Sequence, residues 1–197
     1  GDGPMIRRLA PLLVALSALA PAQELGRPTE IEADRHPTLT THGSAFLRGA
    51  TILTATGLRI ERGNVLVRDG RIEAVGPDVA DPGDVPVLDI EGRFLIPGIV
   101  DCHSHVAIEG GVNEMANTVT SEVRIGDVID PHDVSIWRAL AGGTTTANLL
   151  HGSANPIGGQ NAVVKLRYGR PAGELRYANA PPGIKFALGE NVARSEK

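Results

Sequence analysis

The chain has 197 residues, 42% of them hydrophobic and 21% charged, with a formal net charge of -4. That composition fits a folded, water-facing chain and gives no electrostatic attraction to nucleic acid or to an anionic membrane surface. Aromatic residues make up only 3% and there is one cysteine, Cys102. The core must therefore come from Val, Ile, Leu and Ala, and no intramolecular disulfide can form.

Met5-Ile6-Arg7-Arg8 is a short basic segment, followed by the apolar run Leu9 to Ala20 and by Ala20-Pro21-Ala22. Basic, apolar, then small residues is the order of a secretory signal, and it predicts cleavage after Ala22 and a secreted or periplasmic location. The run of 12 residues is too short for a helix to span an apolar layer of about 30 Å. Residues 23–43 are polar and hold Pro28 and Pro37, which predicts a linker.

From residue 44 to 95 the pattern has period two, predicting a small β-sandwich or sheet. Phe46 to Leu53 is the first strand and Val85 to Ile90 a late one. Asp69-Gly70 divides Val65–Arg68 from Arg71–Val75 and predicts a two-residue hairpin, because both turn positions need positive φ. In that register Val67 faces Ile72 and Val65 faces Ala74.

At Ile96 the texture changes. Ile96-Pro97-Gly98-Ile99-Val100 is a continuous apolar run, the pattern of a strand buried on both faces. Asp130-Pro131 predicts a helix start, with Asp130 as N-cap. Val134, Trp137, Leu140 and Ala141 have helical spacing, and Gly142-Gly143 ends the helix. Thr144 to Leu150 is β-branched and then apolar, a second buried strand. Strand, helix, strand is a βαβ crossover with parallel pairing. Asn161 to Arg167 and Gly183 to Leu188 are candidates for strands three and four.

Asp101-Cys102-His103-Ser104-His105 closes the first buried strand. Alternation puts Asp101, His103 and His105 on one face, and two imidazoles there can share a divalent cation. The carboxyl end of a strand is where parallel α/β folds build their sites. Neutral imidazole suits Zn first, with Fe, Ni and Mn also possible. Cys102 alternates away from the histidines and is expected in the core. His36, His42 and His132 receive no role.

The stretch Phe94 to His105 resembles the PG-x-x-D-x-H-x-H motif that opens the barrel of the amidohydrolase superfamily, in its imidazolonepropionase-related branch. Gly49–Leu53, Asp69–Ile72 and Leu88–Gly92 are similar to the small sandwich of that family, and Ala141–Thr145 to the start of its second strand. The resemblance implies an α/β fold in which a small β-sandwich, residues 44–95, precedes the first half of a (β/α)8 barrel, residues 96–197. It implies that His103 and His105 bind the more buried of one or two divalent metals, most often zinc. A carboxylated lysine from strand four would bridge the metals, with Lys185 the best match, Glu190 the fallback and Lys165 a weaker alternative. His151, Asn155 and Gln160, on the loop after strand two, are candidates for substrate contact, with plain turn chemistry the competing reading.

The activity implied is hydrolysis of a C–N bond in a small amide, cyclic amide or dipeptide. Asp101 to Lys197 is 97 residues, against about 250 for a whole barrel. The family's later histidines and its general-base aspartate are expected beyond residue 197, so these residues alone are expected to be inactive. Other readings are a non-catalytic exported binding module and a phosphotriesterase-like hydrolase. Expected partners are a small-molecule substrate and, through an exposed strand edge, further copies of the chain. Neither nucleic acid nor, after signal cleavage, membrane is expected.

Overall fold

The structure is a computed structural model that describes residues 30–195. The signal-like segment and the first part of the linker, to residue 29, lie outside the described residues. The chain divides after Thr38. Before that point, the described residues contain a single 3-10 turn, Glu32–Arg35, in which Arg35 donates to Glu30 at 2.8 Å and to Glu32 at 2.6 Å.

From Leu39 on, the first architecture is one sheet of five strands. β1 (Ala45–Leu53) runs antiparallel to β2 (Arg59–Arg68), which pairs with β3 (Arg71–Gly76). β4 (Val87–Asp89) and β5 (Phe94–Leu95) both run parallel to β1. The hairpin forms as expected, with φ of 50° at Asp69 and 73° at Gly70. Its register needs correcting beyond the turn. Val67 does pair with Ile72, but a bulge between Leu66 and Val67 sets Leu66 opposite Ala74 and Val65 opposite Val75. One strand carries an extra residue there, so the simple count from the turn slips. The late strand is also shorter than Val85 to Ile90.

Ala50, Ile52 and Val65 form the small core of this sheet, packed by Leu47, Ile60, Val67, Ile90 and Leu95. All five strands belong to one hydrogen-bonded sheet. Its apolar face is covered only in part, and Ile72 remains 70% exposed.

β6 (Ile99–Ser104), α1 (Val134–Ala141) and β7 (Thr144–Leu149) make the expected sequence of strand, helix and strand, with β6 and β7 parallel. The apolar run is not buried on both faces as its composition predicts. Ile96, Ile99 and Val100 are exposed, because β6 is the edge of its sheet and pairs with β7 alone among the described residues. Cys102 is exposed as well rather than in the core.

The third and fourth candidate strands exist but do not extend the parallel sheet. β9 (Ala162–Lys165) is antiparallel to β7, and β10 (Ile184–Phe186) is antiparallel to β8 (Ile157–Gln160) in a separate two-stranded sheet. Asn161 alone separates β8 from β9, so the chain passes directly from one sheet into the other. The main core lies on one face of β7 and β9, where Ala147, Leu149 and Val164 meet Ile125, Ile136 and Leu175. Alternation then puts Asn148 on the opposite face.

α1 begins later than Asp130-Pro131 predicts. Its N-cap is Asp133, whose carboxylate accepts from Ser135 N at 2.8 Å, while Asp130 serves a turn by accepting from His132 N at 2.9 Å. The buried face is centred on Ile136, with Ala139 and Leu140 beside it, and Ala141 is exposed. The helix does stop at Gly142-Gly143, where Gly143 has a φ of 90° that favours glycine.

Asp133 has a second contact that explains its selection as cap. Its other oxygen accepts from Ala107 N at 2.7 Å, two residues past His105. Burial pushes the Asp133 carboxyl up, but the hydrogen bonds from Ser135 and Ala107 outweigh it and leave it below its ordinary value. A carboxyl depressed in the folded state stabilises above its unfolded pKa and loses that contribution as pH falls through the folded value. Asp133→Ala should therefore cost about 0.5–2 kcal/mol at neutral pH. In urea unfolding the gap to the unmodified chain should shrink as pH falls through about 4. A gap that persists unchanged at low pH would count against the charged cap.

Candidate metal centre

The strand that carries the histidines is not regular. Asp101 pairs with Ala147 and Ser104 with Leu149, so three steps along β6 oppose two along β7. The extra residue is a bulge at Cys102 and His103, and Asp101 Oδ1 accepts from His103 N at 3.1 Å across it. Simple alternation therefore does not describe the site, yet the two rings still converge. His103 and His105 cross edge to face at 82°, with centroids 5.1 Å apart and Nε2 atoms 3.3 Å apart.

His105 Nδ1 lies 2.9 Å from the carbonyl of Leu150. A carbonyl only accepts, so Nδ1 carries the proton and, in the neutral ring, Nε2 presents its lone pair. This carbonyl is the partner that fixes tautomer and orientation, as such partners do for metal-bound imidazoles.

Lys185, on β10, brings Nζ to 3.3 Å from His103 Nε2. The Lys185 charge is the main influence lowering the His103 pKa, followed by burial and by His105, while Asp101 opposes them. His103 is thus biased toward the neutral form that a metal requires. The spacing also fits. Two nitrogens bound to one tetrahedral zinc at about 2.0–2.1 Å are separated by about 3.3 Å. The imidazole nitrogens of His103 and His105 fit one divalent cation on their spacing, and His105 also on its tautomer. Among the described residues no group of three or more His, Cys, Asp or Glu side chains comes together, and Lys185 is the further nitrogen that meets His103.

The other candidates lie apart from this point. Glu190 opens the short helix Glu190–Ser195 and is ion-paired with Arg194, although it lines the same open cleft as His103 and Lys185. Lys165 lies over the Tyr177 ring, with Nζ 5.0 Å from its centroid.

The three candidates for substrate contact each bond within the protein. His151 is buried; Nδ1 donates to Gly152 O at 3.0 Å and Nε2 accepts from Glu114 N at 2.8 Å. Asn155 is also buried, and its Nδ2 donates to the carbonyls of Glu114 at 2.7 Å and Asn117 at 2.9 Å. Gln160 donates to Ser121 O at 3.0 Å. All three fasten the loop around residues 113–124 to the segment that follows β7. Gly158 is required beneath His151, since a Cβ there would lie 2.6 Å from its Nδ1. Both ring nitrogens of His151 are therefore satisfied by backbone.

Leu150, Asn148 and Asn161 shape the site without having been singled out by motif. The only sequence signal for the asparagines is an amide inside Thr144–Leu150 and another between two strand-like runs.

No family model matches the chain. It is 37% identical over 152 residues to amidohydrolase tasK of Hapsidospora irregularis, an alignment covering 67% of this chain and 16% of that protein. It is 50% identical over 54 residues to an imidazolonepropionase of Bradyrhizobium sp., covering 26% of this chain and 13% of that one. Among solved structures, an amidohydrolase from Thermotoga maritima MSB8 superposes with a TM-score of 0.70 and 39% identity, over 77% of this chain and 41% of the other. The chain thus spans less than half the length of each of these relatives.

The His103–Lys185 contact can be read by NMR titration in the presence of chelator. His103 should titrate below the ordinary histidine value of about 6.5, and Lys185→Ala should move it upward by removing the main cause. A midpoint indifferent to that substitution would mean that the two nitrogens are not neighbours in solution.

Proposed function

We propose, because this chain belongs to the amidohydrolase superfamily, that the protein carrying it hydrolyses a C–N bond in a small amide, a cyclic amide or a dipeptide. The single observation that carries this reading is the convergence of His103 Nε2, His105 Nε2 and Lys185 Nζ at successive spacings of 3.3 Å. They meet where β6 ends, the end of a parallel strand at which α/β folds do their chemistry. Relatives named for action on such bonds, an imidazolonepropionase and a dihydroorotase, support it.

His103 and His105 would hold a divalent metal, which the superfamily generally binds, with zinc the best match to imidazole nitrogen. When bound, such a metal supplies Lewis acidity toward a substrate carbonyl and acidifies water. The chain's own residues do the preparatory work. The Leu150 carbonyl holds the His105 ring, and the Lys185 ammonium, before it is carboxylated, biases His103 toward the neutral form. Lys185, in its neutral form, can add carbon dioxide and release a proton to become a carbamate, a carboxylate able to bridge two cations. Glu190 is the alternative carboxylate, after release from Arg194. The open cleft lined by His103, Ser153, Lys185, Phe186 and Asn191 is the place for a small substrate.

The same reading assigns residues 44–95 to a small sandwich-type domain and 96–197 to the beginning of a (β/α)8 barrel. The basic and apolar segment at Met5–Ala22 supports a secreted or periplasmic location.

Elemental analysis of the purified protein tests the metal. About one to two equivalents of divalent metal are expected, lost in the His103→Ala/His105→Ala double variant and reduced in Lys185→Ala. Equal metal content in the unmodified protein and the double variant would overturn the reading.

A further inference from the structure

The candidate centre is assembled from two different sheets. His103 belongs to the sheet of β6, β7 and β9, and Lys185 to the separate pair β8 and β10. Something must set the distance between them, and the shortest of the chain's passages between the two sheets is one residue, Asn161, between Gln160 of β8 and Ala162 of β9.

Asn161 bonds to both sides. Its side-chain Nδ2 donates to Asn148 Oδ1 at 2.7 Å, and its backbone N donates to Gly183 O at 3.0 Å. Asn148, at the centre of β7, donates in turn from Nδ2 to Cys102 O at 3.2 Å. Cys102 precedes His103 at the bulge, and Gly183 lies two residues before Lys185. The contacts therefore close into a ring that runs from His103 through Cys102, Asn148, Asn161 and Gly183 to Lys185, and back to His103 across 3.3 Å. The fit at Gly183 is close, since a Cβ there would lie 3.1 Å from Asn161 Oδ1.

We propose that Asn148 and Asn161 act as one positioning unit that fixes the separation of His103 and Lys185. Two amides fit this task because each both donates and accepts, so the pair can join a carbonyl on one strand to the backbone of another. Neither touches the nitrogens that would meet a metal. The value of the unit for metal chemistry rests on the function proposed above, whereas its geometric role does not.

The test uses the full chain in two states. In chelator-treated protein, a nuclear Overhauser effect is expected between the imidazole carbon protons of His103 and the ε-methylene of Lys185. Asn148→Ala and Asn161→Asp should each weaken it several-fold while the remaining amide spectrum superposes on that of the unmodified chain. Asn161→Asp keeps the size of the side chain but removes its donor to Asn148. Should Asn148→Ala not fold, Asn148→Thr, which suits a strand, replaces it.

In the second state, zinc affinity measured by chelator competition should fall about 10- to 100-fold in each variant. The double variant should be no weaker than either single one, as expected for residues acting together. An unmodified chain that binds no zinc but loses the Overhauser contact in both variants would sink the metal reading and leave the positioning role standing. A contact absent from the unmodified chain, or unchanged in both variants, would overturn the proposal.

Discussion

The hydrogen bond from His105 Nδ1 to the Leu150 carbonyl decides what the histidine motif can do. With the proton held at Nδ1, the lone pair of Nε2 points toward His103. That bond exists because β6 and β7 run parallel, so their carboxyl ends lie side by side, and because the chain remains paired there through Leu150 N and Ser104 O at 3.1 Å. The bulge at Cys102–His103 then turns the His103 ring toward the same point. A motif of two histidines with one residue between them is common and says little alone. Its meaning here comes from a carbonyl on the neighbouring strand and from a lysine 82 positions further along the chain.

The sequence made some of this plain. The Asp69-Gly70 turn, the Gly142-Gly143 stop and the β6–α1–β7 unit all follow from local chemistry that leaves few alternatives. Glycine at positive φ and an Asp-Gly hairpin are decided within a few residues. Lys185 came instead from family resemblance, since nothing local sets that lysine apart from Lys165.

Other features were decided by tertiary contacts that no local pattern encodes. Asp130 and Asp133 are both reasonable caps, and the choice falls to Asp133 because it also meets Ala107 N. His151 has the look of a residue at the mouth of a site, but its ring nitrogens are matched to the backbone of Gly152 and Glu114. Burial of a histidine is informative only once its partners are known. The strands at Asn161–Arg167 and Gly183–Leu188 were visible, but their direction was not, because composition does not distinguish a parallel strand from an antiparallel one. Asn161 shows the point most sharply: it reads as the first residue of a strand, and in the structure it joins two sheets.

X-ray absorption at the zinc edge of the zinc-loaded full chain tests the central claim most directly. The account predicts a shell of nitrogen or oxygen at about 2.0–2.1 Å with the outer-shell scattering of two imidazoles. Scattering from a single imidazole or none, or a sulfur at about 2.3 Å contributed by Cys102, would contradict it.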